Sequence, residues 1–386
     1  MTTLCRMVIQ PLSIPFVESF AHGRKVRRHS DAVLVRLEDD RGHVGHGEGL
    51  PRPYVTGETV EGMVTCLARA CWPRLAGRRI PDLSSLEDLA VLDDLWSRDQ
   101  PTGVLAPHAA RSAIELAWLD LVLRRSGKGV GDILPPVRHT VNYSGVVTAG
   151  ASDQALRHAR QMRVVGLSSV KVKVGLGDDV ARVRAIREGL GERVSVRLDA
   201  NGAWDPAEVL PMLRQLEPFG IDSVEQPLPR GDLAAWAALR ASSPIPIMAD
   251  ESLITLQDLE DLVRYQACDL VNVRVSKCGG LLSAWRQATR ALEAGLEVQV
   301  GCQVGETALL SAAGRHLAAA LPEVRFVEGS FGTLLLREDV SREPVRFGHR
   351  GDAPLLQGPG LGVEIVSSQC DKFALETMVC ELSGGP

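Results

Sequence analysis

Five ionisable side chains follow five successive apolar segments of the chain, and they recur at intervals of 25 to 27 residues. They are Lys173, Asp199, Glu225, Asp250 and Lys277. Three carboxylates held close together repel one another, and a bound cation removes that repulsion. A set of carboxylate oxygens suits a hard divalent ion, so Asp199, Glu225 and Asp250 predict a Mg²⁺ site.

A lysine flanks the three acids on each side along the chain. Lys173 precedes them and Lys277 follows them, which fits removal of a proton next to a substrate carboxylate through an enediolate that the metal stabilises. A lysine acts as a base only when its pKa falls well below about 10.4. Lys171, in the stretch SSVKVKVG, adds a nearby positive charge. We predict that Lys171 tunes Lys173 or contacts the substrate, and that Lys173 takes or gives the proton.

The elements that must position these groups alternate regularly from about residue 139. Amphipathic segments separate eight short apolar runs, which are TVNYSGVV, SSVKVKVG, RVSVRLDA, DSVEQPL, PIMADES, LVNVRVSKCGG, LEVQVGC and VRFVEGS. This alternation predicts a parallel sheet with helices outside it, and eight strands favour a TIM-like barrel whose strand ends share one mouth. A doubly wound sheet is the alternative, but the GLG at 175–177 is a poor match to its glycine-rich turn.

The residues before the barrel predict an α+β region. MVIQPLSIP is typical of a strand, DAVLVRLEDDRGHVGHGEG of a hairpin, and Pro107–Gly127 of a helix that ends at a glycine. The 386 residues are 45% apolar and 24% charged, with a net charge of −5, which argues against a nucleic-acid partner. Scattered cysteines, together with the lack of a signal peptide or membrane-spanning run, predict a cytoplasmic protein with no membrane contact.

Several motifs in this order resemble the enolase superfamily and, within it, the muconate lactonizing enzyme subgroup. They are VKVKVG, DANGAWD, VEQPLP, ADES and NVRVSKCGG, and the resemblance covers nearly the whole chain. It implies a modified TIM barrel, (β/α)7β, over residues 131–340, under an α+β capping domain formed by 1–130 and a returning segment, 341–386. It also implies Mg²⁺ on the three acids, with Lys173 and Lys277 as opposed acid and base groups.

The mandelate racemase subgroup is a weaker match. It would place a histidine where Lys277 stands, and none of the nine histidines follows a predicted barrel strand in that way. His316 lies in the helical run SAAGRHLAAA, where we expect it to be packed. Lysine opposed to lysine is therefore the predicted pair.

The resemblance leaves several reactions open. Members of the subgroup racemise or epimerise N-acylamino acids and dipeptides, cycloisomerise muconates, or dehydrate a precursor to o-succinylbenzoate. Two opposed lysines favour an isomerase that works as a racemase or epimerase of an amino-acid derivative, because one lysine removes the proton and the other returns it. A muconate-type cycloisomerase or a syn dehydratase is the alternative. The expected partner is a small-molecule carboxylate, and the subgroup predicts a homo-oligomer.

The substrate should meet the N-terminal loop SFAHGRKVRR and the last two barrel strands. The predicted substrate-binding residues are Arg24, Asn201, Gln303 and Glu328. Dipeptide epimerases carry two aspartates near the end of the last strand to bind an ammonium, whereas this chain has only Glu328 there, with Ser330 at the second position. Glu328 could still hold an ammonium. Gln303 and the nearby Glu306 either line the cavity or make structural hydrogen bonds.

Three hypotheses from other functional classes compete with the isomerase. A Schiff-base aldolase would need one buried lysine and no carboxylate trio. A non-catalytic metal-binding scaffold would gain nothing from two inward lysines. A nucleotide-binding oxidoreductase would need the glycine fingerprint that the sequence lacks.

Overall fold

An antiparallel sheet and a long helix form the N-terminal part of the chain. The computed structural model describes residues 2–22, 25–96, 104–148, 152–175 and 177–382. The first strands are β1 (Thr2–Pro11), β2 (Ile14–His22), β3 (Lys25–Ser30), β4 (Val33–Asp39), β5 (Val44–Gly49) and β6 (Arg79–Ile80). The helices are α1 (Val60–Thr65), α2 (Trp72–Leu75) and α3 (His108–Ser126), with a π-helical segment at Cys66–Cys71 and a 3₁₀ segment at Leu86–Leu95. Strands β1, β4 and β5 pair in that order, and β2 pairs with β3 as a separate hairpin.

Eight parallel strands follow, paired in the order in which they occur along the chain. After a short strand β7 (Thr140–Asn142), they are β8 (Gly145–Val147), β9 (Ser169–Lys173), β10 (Ser195–Asp199), β11 (Ser223–Glu225), β12 (Ile247–Ala249), β13 (Leu270–Val273), β14 (Glu297–Val300) and β15 (Phe326–Val327). The Ser144 N–H, just before β8, donates to the Val327 carbonyl of β15 at 2.8 Å and so links the last strand to the first.

Each of the seven connections between consecutive barrel strands carries a helix. These helices are α4 (Ser152–Val165), α5 (Asp179–Leu190), α6 (Val209–Leu216), α7 (Leu233–Ser242), α8 (Leu256–Tyr265), the pair α9 (Val275–Cys278) and α10 (Leu281–Glu293), and α11 (Ala308–Ala320). The predicted (β/α)7β barrel with an α+β N-terminal region is therefore confirmed. Within the described residues, no helix combines the length and apolarity needed to cross a membrane.

The last segment of the chain returns to both regions. It contains β16 (Asp352–Pro354), α12 (Ser367–Phe373) and β17 (Met378–Glu381). Strand β17 pairs antiparallel with β1, as a return to the N-terminal region would require, whereas β16 pairs with β7. The prediction of one barrel strand over TVNYSGVV is thus wrong in one respect. The segment forms two strands, of which β7 pairs with β16 and only β8 belongs to the barrel. The domain boundaries near residues 130 and 340 stay predictions.

The alternation in SSVKVKVG has the expected structural meaning. Val170 and Val172 of β9 are fully buried in the apolar core, while Lys171 and Lys173 on the other face are only 4% and 6% exposed. The lysines therefore point into the barrel and not into water. Burying two ammonium groups is costly unless they meet opposite charges, and the interior supplies those charges.

Three glycines of β5 allow α3 to lie directly against the sheet. A Cβ atom built on Gly47 would lie 2.1 Å from the Ala113 carbonyl oxygen and 2.4 Å from the Ala117 nitrogen of α3, and Gly45 and Gly49 are equally tight. Such spacing excludes any side chain. Helix α3 matches the predicted Pro107–Gly127 closely, since it ends at Gly127 with φ of +67°.

Replacing Gly47 by alanine is therefore expected to lower the free energy of unfolding by about 3 kcal/mol or more, because strand and helix must move apart. Gly314→Ala in α11 is the matched control, since nothing lies within 4 Å of its added methyl group. The control should gain about 0.5–1 kcal/mol. Chemical denaturation measures both variants, and equal stability of Gly47→Ala and the unsubstituted protein would contradict the close packing.

Candidate active site

Three buried carboxylates lie side by side at the ends of adjacent barrel strands. Asp199 ends β10 and is the register partner of Glu225, which ends β11. Glu225 in turn pairs with Met248 of β12, two residues before Asp250. All three acids are 0% exposed. The spacing in the sequence thus corresponds to one contiguous acidic row.

Lys173 and Lys277 flank this row at its two ends. The Lys173 Nζ donates to Asp199 Oδ2 at 2.6 Å. The Lys277 Nζ donates to Asp250 Oδ1 at 2.9 Å and to the backbone carbonyls of Asp250 and Asn272. Lys173 ends β9, and Lys277 lies in α9, the short helix after β13. Strands β9 and β13 are four places apart in a ring of eight, so the two lysines approach from opposite sides of the barrel.

Lys171 lies beneath the row and joins it to the last strand. Its Nζ contacts Glu328 Oε2 at 2.6 Å, Asp199 Oδ2 at 3.2 Å and Glu225 Oε2 at 3.3 Å. Burial opposes its charge, but Glu225, Glu328 and Asp199 together raise the pKa of Lys171 well above its ordinary value. Lys171 therefore remains an ammonium group, which fits contact or tuning and not the role of a base.

Arg274 is a site residue that the sequence reading missed. Its guanidinium donates to Glu225 Oε1 at 3.2 Å and also contacts Asp250. Burial opposes the negative charge of Glu225, but Lys171 and Arg274 hold the pKa of that carboxyl well below its usual range. At Asp250, burial outweighs the effect of Arg274 and Lys277 and raises the pKa to about 8. An arginine directly after the strand β13 was the available signal.

A cavity of about 360 Å³ opens above the row at the mouth of the barrel. Of the predicted site residues, it brings together Lys171, Lys173, Gln303 and Glu328. Lys277, Asn201 and the three carboxylates are not among the residues that line it. The N-terminal region closes the cavity on one side, with residues from β2 and the segment after β5.

The predicted substrate-binding residues have different surroundings. Arg24 lies outside the described residues. Asn201 accepts a hydrogen bond from the Lys173 Nζ at 2.9 Å and donates to Glu251, so it orients that lysine from outside the cavity. Gln303 is 4% exposed, and its Oε1 has no hydrogen-bond partner among the described residues.

Two further residues have structural contacts. Glu306 accepts a hydrogen bond from the Gln303 backbone N–H at 2.6 Å. This is the structural role that the sequence left open as an alternative to lining the cavity. Burial raises the pKa of Glu306 to about 8. His316 is packed as expected, since its Nε2 contacts the Leu361 carbonyl and burial lowers its pKa to about 4.

The backbone is strained where three barrel strands end. Asn201, Gln226 and Ser330 adopt φ values of 45°, 43° and 51°, in the left-handed region that residues other than glycine rarely enter. Each lies within two residues of a charged residue of the candidate site (Asp199, Glu225 and Glu328, respectively). Strain of this kind often accompanies functional sites, because the surrounding structure has to hold it in place.

The turn that carries Lys277 is fixed by the N-terminal helix α3. Burial lowers the pKa of His108 to about 4, so its neutral ring donates from Nδ1 to the Lys277 carbonyl at 2.7 Å. Glu115 accepts the Leu282 N–H at the start of α10 and fills the space beside Gly280. The N-terminal region therefore positions one of the two candidate lysines.

The acidic row could hold a metal ion. Over the described ranges, no three His, Cys, Asp or Glu side chains are already arranged as metal ligands, and the carboxylates of the row contact Lys171, Lys173, Arg274 and Lys277. The donor chemistry nevertheless fits Mg²⁺, because three adjacent carboxylates offer only hard oxygen atoms. Asp199, Glu225 and Asp250 are the residues that could bind it.

Comparison with known proteins gives consistent results. The family described as "Enolase C-terminal domain-like" matches residues 154–369. The chain is 30% identical over 364 residues to the N-succinyl-L-Arg/Lys racemase of Bacillus cereus, covering 92% of each. It is 31% identical over 318 residues to the hydrophobic dipeptide epimerase of Enterococcus faecalis, covering 81% of this chain and 86% of the epimerase. The solved 2-chloromuconate cycloisomerase of Rhodococcus opacus superposes with a TM-score of 0.88 at 28% identity, over 97% of this chain and 100% of that one.

Proposed function

Because the chain belongs to the enolase superfamily and is one of its isomerases, we propose that it is a Mg²⁺-dependent racemase or epimerase of an N-acylamino acid or dipeptide. The observation that carries this proposal is the placement of Lys173 and Lys277 at opposite ends of one acidic row. A 1,1-proton transfer needs a proton acceptor on one face of the α-carbon and a donor on the other. The similarity to a racemase and an epimerase supports the same choice.

In the proposed reaction, Asp199, Glu225 and Asp250 hold the Mg²⁺ ion. When bound, the ion supplies positive charge to the substrate carboxylate while the α-carbon loses its proton. The buried Lys171 ammonium adds a second fixed positive charge on the cavity floor. Fixed charges in a site closed to water stabilise developing negative charge strongly, because they need no reorganisation.

The two lysines then carry out the proton transfer, one on each face of the α-carbon. In one direction Lys173, in its neutral form, accepts the α-proton, and the Lys277 ammonium donates a proton to the opposite face. Asp199 and Asn201 hold the Lys173 Nζ in place, while His108 holds the backbone of Lys277. The reverse direction exchanges the two roles, which a racemase requires.

A muconate-type cycloisomerase is the second candidate, supported by the 0.88 TM-score to the chloromuconate enzyme. A cycloisomerase, like a syn dehydratase of the o-succinylbenzoate type, uses one lysine as acid and base and the other as an electrostatic partner. The same cavity and acidic row would serve it. The two functions differ in whether the α-proton returns to the opposite face.

Incubation in D₂O with Mg²⁺ separates these functions. Single enantiomers of N-acylamino acids and dipeptides, and cis,cis-muconate, are offered separately, and products are followed by chiral chromatography and mass spectrometry. We expect the opposite enantiomer or epimer to form with one deuterium at the α-carbon. Lactone formation from muconate without any epimer would favour the cycloisomerase and contradict the proposal.

A further inference from the structure

Two cysteines lie at the two ends of the π-helical segment in the N-terminal region. Cys66 begins this segment and Cys71 ends it, and they are the closest pair among the eight cysteines of the sequence. All eight cysteines are free thiols. The segment connects α1 to α2, and neither of its cysteines lines the cavity of the candidate active site.

Pro73, which directly follows the segment within α2, gives a physical reason for the π turn. In an uninterrupted α-helix, a proline lacks the N–H that would bond four residues back, and its ring collides with the carbonyl of Arg69. The wider π turn avoids this collision. The Trp72 N–H accordingly donates to the Leu67 carbonyl, five residues back. Single π turns inside α-helices are frequent at functional sites.

The π turn brings the two thiols to the same face of the helix. Residues five apart in an α-helix lie about 140° apart around its axis. In a π-helix the backbone hydrogen bond spans five residues, so Cys71 stacks on Cys66 as the fourth neighbour does in an α-helix. Stacked helical neighbours have Cβ atoms about 5–6 Å apart, and a disulfide needs about 3.5–4.5 Å. A small local shift therefore suffices to join the two sulfur atoms.

The two thiols have unequal surroundings. Cys66 is half-buried, whereas Cys71 is 1% exposed and belongs to the apolar core. The neighbouring Cys71 thiol lowers the pKa of Cys66, while Cys66 and burial together raise the pKa of Cys71. The thiolate is the nucleophilic form of cysteine. Cys66 is therefore the thiol that a dissolved oxidant reaches and that reacts first, and Cys71 is placed to react second.

The remaining cysteines lack this combination of spacing and environment. None of them has another cysteine within nine residues in the sequence. Burial raises the pKa of each of these six thiols, which favours the unreactive protonated form. They are Cys5, Cys268, Cys278, Cys302, Cys370 and Cys380.

We propose that Cys66 and Cys71 form an oxidation site, at which hydrogen peroxide converts the two thiols into a disulfide within the helix. In the first step the Cys66 thiolate attacks a peroxide oxygen, the O–O bond breaks, hydroxide leaves and Cys66 becomes a sulfenic acid. In the second step the Cys71 sulfur attacks the sulfenic sulfur, the S–O bond breaks, and the hydroxide leaves as water with the Cys71 proton. The two thiols lose two electrons and two protons, and the peroxide becomes two molecules of water. The site is independent of the proposed racemase or epimerase function.

Tryptic mapping of the native, full-length protein after treatment with hydrogen peroxide tests the inference. Arg69 lies between the two cysteines, so trypsin separates them into peptides 42–69 and 70–74. After the remaining thiols are blocked with iodoacetamide, we expect these two peptides to be joined by one S–S bond and to separate on reduction. Recovery of both cysteines as alkylated thiols would overturn the inference. Oxidation of Cys66 to a sulfinic acid beside an alkylated Cys71 would also overturn it.

Single substitutions separate the two steps. Cys66→Ser should abolish the joined peptides and leave Cys71 as a thiol. Cys71→Ser should stop at the sulfenic acid, which dimedone then labels on Cys66 at least about tenfold faster than it labels Cys71 in Cys66→Ser. Equal labelling of the two variants would contradict the assigned order of reaction.

Cys5→Ser is the matched control, because Cys5 is also half-buried but has no cysteine five residues further along the chain. This variant should form the joined peptides to the same extent as the unsubstituted protein. Loss of the joined peptides in the control would contradict the pairing of Cys66 with Cys71. The mapping of the unsubstituted protein decides the question even where a variant does not fold.

Discussion

Lys173→Ala and Lys277→Ala should each lower kcat for racemisation by about 10³-fold or more, with the fold and Mg²⁺ binding retained. Each lysine is expected to transfer the proton on one face, and a positioned acid or base contributes about 10²–10⁴-fold in rate. Both side chains are buried beside a carboxylate of the acidic row. Lys372→Ala is the matched control, since this exposed lysine of α12 pairs with Glu338 outside the candidate site and should keep full activity. Racemisation at the original rate in either active-site variant would refute the assignment.

The two lysine variants should also differ from each other in D₂O. Lys277→Ala retains Lys173, so it should still exchange the α-hydrogen of one enantiomer, and Lys173→Ala should exchange that of the other. Neither variant should convert one enantiomer into its mirror image. Exchange from both enantiomers by a single variant would mean that one lysine serves both faces, which would contradict the two-lysine proposal.

Glu225→Gln and Asp250→Asn are expected to weaken Mg²⁺ binding by at least about 100-fold. Mutating a residue that only hydrogen-bonds to a metal ligand typically lowers metal affinity by about 10–100-fold, and these two acids are the proposed ligands themselves. The unsubstituted acids lie at adjacent strand ends, fully buried. Titration calorimetry with Mg²⁺ measures the effect, and circular dichroism checks that the variants fold.

Asp153→Asn is the control for this pair of variants, because Asp153 is exposed on α4 and pairs with Arg157. It makes the same chemical change without touching the acidic row. Mg²⁺ binding should be unaltered in the control. Undiminished Mg²⁺ affinity in both Glu225→Gln and Asp250→Asn would show that the row is not the metal site.

The acidic row was predictable because a parallel barrel converts equal spacing in sequence into adjacency in space. One strand and one helix take about 26 residues here, so Asp199 and Glu225 fall at the same level of neighbouring strands. The alternation in SSVKVKVG likewise identified the inward lysines. These features depend on local periodicity, which a single sequence displays.

The partners of the charged residues were not predictable in the same way. Arg197 lies on β10 and Arg274 directly follows β13, yet their targets, Glu328 and Glu225, are distant in sequence. Pairing across the barrel depends on side-chain reach and strand tilt, which the period of a strand does not encode. The cavity wall was not predictable for the same reason, because Val17 and Leu334 line one cavity only when the N-terminal region packs against the barrel.

The most direct test of the account is a crystal structure of the protein with a bound N-acylamino acid, in which Mn²⁺ has been soaked into the crystal instead of Mg²⁺. We expect one anomalous peak within about 2.0–2.3 Å of oxygens from Asp199, Glu225 and Asp250, with the Nζ atoms of Lys173 and Lys277 facing opposite sides of the substrate α-carbon. A peak away from these three acids, or both amines on the same side of that carbon, would contradict it.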